Sequence, residues 1–382
     1  MYIPSYKEEP FEWYKSMRTQ RIVREGNSVH VFKYNDVVTV LSNHNVFSSQ
    51  FRDLLGDDIK NELDSRAAPS ILILDPPRHT ELRGLVSSAF TPRKIESYDN
   101  YIRELAAKMI ENIIEKGRCD LVSEISYPLP IMVISNMLGV PEKDLKKFKE
   151  WSDALATSLG RGPDLRTQRE MSEYFLNMID RNSNEDNLIS RLSNVSIDDK
   201  KLTDQEITGF SILLLVAGNE TTTNLITNAL IELSNHPDIY KELVDNNKIA
   251  GDIVEETLRF RSPVQSTRRY AKYDYQINGF NIYKNDFIFL YLGSANRDEE
   301  IFKDPDNFNP FRENKRHIAF GNGIHFCLGA PLARLESRIV LEEFAKRIES
   351  FSIERLNPDD RIDSDIMYGY KRAIINVKKI NQ

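Results

Sequence analysis

The stretch from about Thr203 to Asn235 constrains the fold of this chain more than any other. Thr203-Asp204-Gln205-Glu206 has the spacing of a capping box, in which threonine and glutamate side chains satisfy two otherwise orphaned backbone N–H groups. Some thirty residues at about 1.5 Å rise reach about 45 Å, enough to cross a whole domain. Apolar residues surround the first half, which is therefore expected to be buried. The middle departs from this pattern. Ala217-Gly218-Asn219-Glu220-Thr221-Thr222-Thr223 gathers poor helix formers around one acid. Threonine hydroxyls can take over carbonyl hydrogen bonds and bend a helix at such a place.

The second constraint lies near the C-terminus, in Phe320-Gly321-Asn322-Gly323-Ile324-His325-Phe326-Cys327-Leu328-Gly329. Gly321 and Gly323 permit a tight loop. After Gly329, Leu332, Leu335, Ile339, Phe344 and Ile348 recur at helical spacing. Cys327 is thus expected at or just before a helix N-terminus, where amide N–H groups favour a thiolate, the form that binds metal. A lone cysteine would otherwise read as a small core residue. That is the reading for Cys119, the second of two.

The loop resembles the haem-ligand loop of the cytochrome P450 family at every fixed position of Phe-Gly-x-Gly-x-His-x-Cys-x-Gly. The resemblance extends from about Asp75 to Arg312 and on through Cys327. It implies a mainly α fold with a small β-rich lobe, formed from about residues 1–60 and parts of 265–295, as one domain over 1–382. It implies haem b as cofactor, with Cys327 as the axial iron ligand and Phe320 beside it. Ala217-Gly218-Asn219-Glu220-Thr221 matches the distal haem face: Gly218 would leave room for dioxygen, Thr221 would hydrogen-bond the activated oxygen, and Glu220 would feed protons. Leu213, Val216 and Ala217 would face substrate. Phe148 to Asp153 and Ala217 to Asn224 look most like archaeal thermophile members.

Further segments acquire meaning from the same resemblance. In Asp75-Pro76-Pro77-Arg78-His79-Thr80-Glu81-Leu82-Arg83, His79 and Arg83 are four apart and share a helix face. Such a pair is often a solvated surface feature. Here it matches the segment that holds haem propionates, with His325 joining it. Arg269 is the third propionate partner, adjacent Arg268 its competitor, and Val264 and Gln265 would touch substrate. Glu256 and Arg259 match the family's Glu-x-x-Arg pair, with Arg312 as third member of a structural triad. Ile366-Met367-Tyr368-Gly369 matches the turn that completes the pocket. Residues 50–70 would form a loop over the distal face, and residues 160–170 a lid over substrate entry.

Elsewhere, helices are expected over 98–116, 142–159 and 248–260, with Pro128 to Pro130 and Gly139-Val140-Pro141 as breaks. A strand hairpin is expected around Glu25-Gly26-Asn27, and another at Asn278-Gly279. A net charge of −7 lends no support to nucleic-acid binding. Two cysteines build no disulfide framework, as expected of a reducing, cytoplasmic compartment. The start Met1-Tyr2-Ile3-Pro4-Ser5 reads as neither signal peptide nor membrane anchor, and the apolar run from Phe210 to Gly218 is too short to span a bilayer.

The resemblance thus implies a monomeric haem-thiolate monooxygenase that inserts one oxygen atom from O2 into a small hydrophobic substrate. Electrons would come from a ferredoxin-type donor with its reductase, docking where Lys315, Arg316, Arg334 and Arg338 collect positive charge. A haem-thiolate peroxygenase or isomerase, or a non-enzymatic haem sensor, are the alternatives; the intact Glu220-Thr221 pair favours oxygen activation.

Overall fold

The computed structural model describes residues 2–54, 70–158, 164–181 and 186–380. The expected distal loop therefore lies largely outside the described residues, as do residues 160–163 of the expected lid.

The long helix runs without interruption over Asp204–Asn235. Thr203 Oγ1 accepts the Glu206 N–H at 3.2 Å, and Glu206 accepts the Thr203 N–H at 2.9 Å. No break interrupts the threonine-rich middle, because Thr221 donates its hydroxyl to the Ala217 carbonyl (2.7 Å) inside an otherwise continuous backbone ladder. The apolar first half is buried only in part, at Ile207, Phe210 and Leu215 among its apolar positions. Every residue from Thr222 to Leu233 is buried, while Ala217 is exposed to a cavity and its neighbours are half-buried. The second half threads between helices Ala250–Phe260 and Ala330–Arg347, whereas one face of the first half borders open space.

Helices Pro128–Leu138, Leu165–Arg181, Ala250–Phe260 and Ala330–Arg347 pack around it, and Asp99–Lys116 lies against Ala330–Arg347. Arg103 ties that last pair together through Glu342 (2.9 Å) and Glu343 (2.7 Å). Pro128 to Pro130 does not break a helix but starts one, since proline in the first helical turn forfeits no internal hydrogen bond. The expected break at Gly139 is present, in the left-handed conformation at φ 80°.

Among the described residues, a five-stranded sheet has the order Ile22–Glu25, Ser28–Val31, Phe287–Tyr291, Ser266–Ala271, Phe47–Ser48. The first two form the expected hairpin. Ser28–Val31 then runs parallel to Phe287–Tyr291, with Val29 opposite Ile288 and Val31 opposite Leu290. All four side chains are fully buried, and they anchor a separate apolar cluster beneath the sheet. Asn278 (φ 50°) and Gly279 (φ 84°) make the second expected hairpin turn. A three-stranded sheet of Arg118–Asp120, Ile374–Lys379 and Ile348–Ile353 lies beyond the predicted β-rich segments. It places half-buried Cys119 on a strand against the helical core, where burial pushes its thiol up to about 11.

Candidate active site

A cavity of about 390 Å³ lies between the long helix and the Cys327 loop. Leu213, Ala217, Gly218, Thr221 and Thr222 border it from one side; Phe320, His325, Cys327 and Leu328 border it from the other. The loop is shaped by two glycines at φ 73°. Gly323 has a second constraint: a Cβ there would stand 2.5 Å from the Leu41 carbonyl oxygen. Cys327 donates its backbone N–H to the Phe320 carbonyl (2.9 Å), closing the loop just before helix Ala330–Arg347.

The thiol itself behaves differently from the expectation for a helix N-terminus. Burial pushes its pKa up and outweighs the Gly329 and Ala330 amides and the nearby Arg83 and Arg334 cations, which act to lower it. The site thus favours a neutral thiol until a cation takes the proton's place on sulfur.

His79, Arg83, Arg269 and His325 come together along the cavity wall. The two imidazoles lie 4.4 Å apart between ring centroids. Both His79 ring nitrogens and His325 Nε2 are buried without a partner. Arg83 donates to the Phe326 carbonyl (2.7 Å) and Arg269 to the Arg268 carbonyl (2.7 Å). All four groups are pushed toward their neutral forms. Burial, then Arg269 and His79, drives His325 down to about 3; burial alone outweighs Asp75 to bring Arg269 to about 10. Burial also lowers His79 and Arg83. Strand alternation separates Arg268 from Arg269. Arg268 is exposed and stacks over Phe289 at 5.1 Å, while Arg269 is buried toward the cavity.

Four desolvated donors with little carboxylate beside them, at the edge of an apolar slot bordered by one thiol, suit a flat, anionic, metal-bearing macrocycle. Haem fits this donor set: its two carboxylates answer the cations and its iron answers the sulfur.

The other predicted positions divide. Leu213, Ala217 and Val264 border the cavity, whereas Val216 and Gln265 do not. Val216 packs into the helical core. Gln265 donates to the Ser262 carbonyl (2.6 Å) and faces a smaller pocket near the N-terminus. That pocket, not the main one, is also where Met367 to Gly369 lie, joined through the Val264–Met367 bridge. Gly218 borders the cavity, but the side on which a Cβ would stand is filled, 2.6 Å from Ile134 Cδ1. Glu220 is absent from the cavity lining and half-buried, and burial lifts its carboxyl to about 7. Ile134, Met137, Phe90 and Leu292 border the cavity and went unpredicted. Helix Pro128–Leu138 buries nearly every side, so its sequence periodicity marks no cavity face.

Glu256, Arg259 and Arg312 do meet. Arg259 makes two hydrogen bonds to the Glu256 carboxylate (2.9 and 2.8 Å), and Arg312 makes one (2.8 Å). The predicted cationic patch is largely spent on internal pairs. Lys315 pairs with Asp252, Arg334 with Glu255, and Arg338 with Glu342, leaving Arg316 the exposed cation of the four without an ion pair among the described residues.

The sequence profile of the cytochrome P450 family matches residues 128–375. Cytochrome P450 119 of Sulfolobus acidocaldarius is 36% identical over 381 residues, covering 96% of this chain and 99% of its own. Cytochrome P450 109 of Bacillus spizizenii is 36% identical over 386 residues, covering 96% and 92%. The crystal structure of CYP109E1 from Bacillus megaterium, in complex with testosterone, superposes with a TM-score of 0.87 at 36% identity, covering 97% of this chain and 99% of that one. Similar chains thus come from both bacteria and archaea. Among the described residues no helix is long and apolar enough to cross a membrane. The chain belongs to the cytochrome P450 family, haem-thiolate monooxygenases that insert one oxygen atom from O2 into a small organic substrate with electrons from separate redox proteins.

Proposed function

We propose that Cys327 is the axial ligand of haem b, with His79, Arg83, Arg269 and His325 on its propionates and Phe320 beside the sulfur. The observation that carries this reading is the set of four desolvated donors, with little carboxylate beside them, gathered along the cavity that Cys327 borders. When bound, haem supplies the iron at which dioxygen is activated, and a thiolate ligand favours O–O cleavage. The chain's own residues do the rest. Gly329 and Ala330 amides hold charge on the Cys327 sulfur. Thr221, its proton committed to the Ala217 carbonyl, offers lone pairs that accept a hydrogen bond from a protonated oxygen or a water in the cavity. Glu220, lifted to about 7, holds a transferable proton near neutral pH one residue away. Leu213, Ala217, Val264 and Ile134 give substrate an apolar wall, which favours a small hydrophobic molecule. The Glu256–Arg259–Arg312 triad is structural.

The external donor is of ferredoxin type with its own reductase, working on a cytoplasmic, monomeric, single-domain enzyme. The nearly complete coverage of each full-length relative supports one domain over 1–382. Because three of the four predicted docking cations are internally paired, Arg316 and apolar contacts around exposed Phe326 carry more of the donor surface than charge alone.

Reduced protein with carbon monoxide should show the strongly red-shifted Soret band of thiolate ligation. Cys327→His should abolish it. A variant that kept the band unchanged would remove Cys327 from the iron.

A further inference from the structure

Helix Ala250–Phe260 carries two adjacent glutamates, and the family triad uses only one. Glu255, immediately before it, is engaged as fully. Arg334 donates to both of its carboxylate oxygens, from Nε at 2.6 Å and from Nη2 at 3.0 Å. His317 Nε2 stands 3.1 Å from Glu255 Oε2, and His317 Nδ1 accepts the Ala319 N–H at 3.2 Å. With Nδ1 accepting, the ring proton sits on Nε2 and is donated to Glu255. Burial raises the Glu255 carboxyl, but the His317 and Arg334 hydrogen bonds outweigh it and hold the group at about 2.

The two groups that Glu255 grips flank one ring. The Arg334 guanidinium lies 4.6 Å from the centroid of Phe320, and the His317 ring lies 6.0 Å from it. Phe320 in turn accepts the Cys327 N–H through its carbonyl. A continuous chain of contacts therefore joins Glu255 to the sulfur's own residue. Arg334 also acts on that sulfur directly, as one of two cations that stabilise the Cys327 thiolate.

We propose that Glu255 is a positioning residue for the thiolate loop: by clamping Arg334 and His317 against Phe320, it fixes the loop and offsets the Arg334 charge beside Cys327. The inference rests on Cys327 being the axial ligand. A cation left uncompensated beside the sulfur withdraws electron density and favours the reduced iron. A cation removed does the opposite. The clamp therefore has two halves with opposite electrical sign, while loosening of the loop has none.

The test uses haem-loaded Glu255→Gln, a near-isosteric removal of one charge, and Arg334→Gln, which removes the opposite charge and leaves a shorter polar side chain. The readouts are haem reduction potential and the carbon monoxide Soret band. Glu255→Gln should raise the potential, Arg334→Gln should lower it, and the double variant should return close to the parent. Retention of the red-shifted band in all variants keeps the Cys327 assignment standing, so failure of that assignment would appear first in the parent protein. Shifts of the same sign in the two single variants, or none in either, would overturn the proposal and leave an ordinary surface ion pair. If Glu255→Gln does not retain haem, Arg334→Gln decides alone: a lowered potential supports the clamp, and an unchanged or raised one overturns it.

Discussion

Gly218 and Glu220 sit two residues apart on the long helix and face different neighbours, so their substitutions should fail in different ways. Gly218→Ala would drive a methyl group into Ile134 Cδ1 at 2.6 Å. Overpacking of this kind costs about 1–3 kcal/mol. Ile134→Val removes the offending methyl, so the double variant should be more stable than the sum of the singles predicts. Denaturant unfolding of the parent and the three variants measures this; strict additivity would mean the two residues do not share the space. Glu220 is held near pH 7 by burial, above its ordinary value. Its neutral form is the favoured one, fully present at pH below the unfolded value and lost as pH rises through about 7. Product formed per reductant consumed should accordingly fall across that rise, and Glu220→Gln should flatten the profile. Thr221→Ala should keep a normal carbon monoxide spectrum and divert electrons to hydrogen peroxide. Its hydroxyl borders the cavity but holds no part of the Cys327 loop. Unchanged coupling in Thr221→Ala would leave this hydroxyl only its bond to Ala217.

At the scale of elements, helix Ala250–Phe260 holds the segment from Asn296 to Arg312 that leads toward the Cys327 loop, and is proposed as that loop's support. Glu256 holds Arg259, Arg312 and the Asn309 N–H (2.8 Å), while Arg259 reaches the Asn296, Pro305 and Asn307 carbonyls. All three charged groups are nearly inaccessible to water, with Glu256 and Arg259 at 1% exposure. A buried pair contributes little against an apolar replacement, but breaking one by removing a single partner costs about 3–5 kcal/mol. Glu256→Ala leaves two cations stranded and should lose stability of that order, together with haem. A loss below about 1 kcal/mol on denaturant titration, where surface pairs fall, would show that the triad is not the support.

For the whole molecule, haem and fold should stabilise one another through the donor cluster. His79, Arg83, Arg269 and His325 are drawn from three separate segments into a place with little counter-charge. Haem-free protein bears the cost of those desolvated groups; haem-loaded protein gains both the charge pairing and the binding free energy. Arg269→Met should therefore act with opposite signs, raising the melting temperature of haem-free protein and lowering that of haem-loaded protein. Parallel melts of both forms decide it, and shifts of one sign in both would reduce Arg269 to a packing role.

What the sequence determined by itself is local. The capping box at Thr203, the Asn278-Gly279 turn and the glycine-shaped loop before Cys327 depend on near neighbours, and each is present as expected. The mainly helical class followed from the family resemblance that these motifs carry, and the helices are there. The tertiary structure decided which surface each element shows to which other. Strand alternation separated Arg268 from Arg269, but only the sheet's placement made Arg269 the one facing the cavity. The apolar first half of the long helix gave no sign that it would border open space, because apolar residues line cavities and cores alike. Ile134 meets Gly218, and Glu255 meets Arg334 and His317, through packing between elements distant in the chain. Periodicity records which side of a helix is apolar, and it carries no record of the partner. Charge behaves the same way: Lys315 and Arg334 read as part of a docking patch until their carboxylates arrived from helix Ala250–Phe260, whereas the Glu342 partner of Arg338 stands four residues on along the same helix.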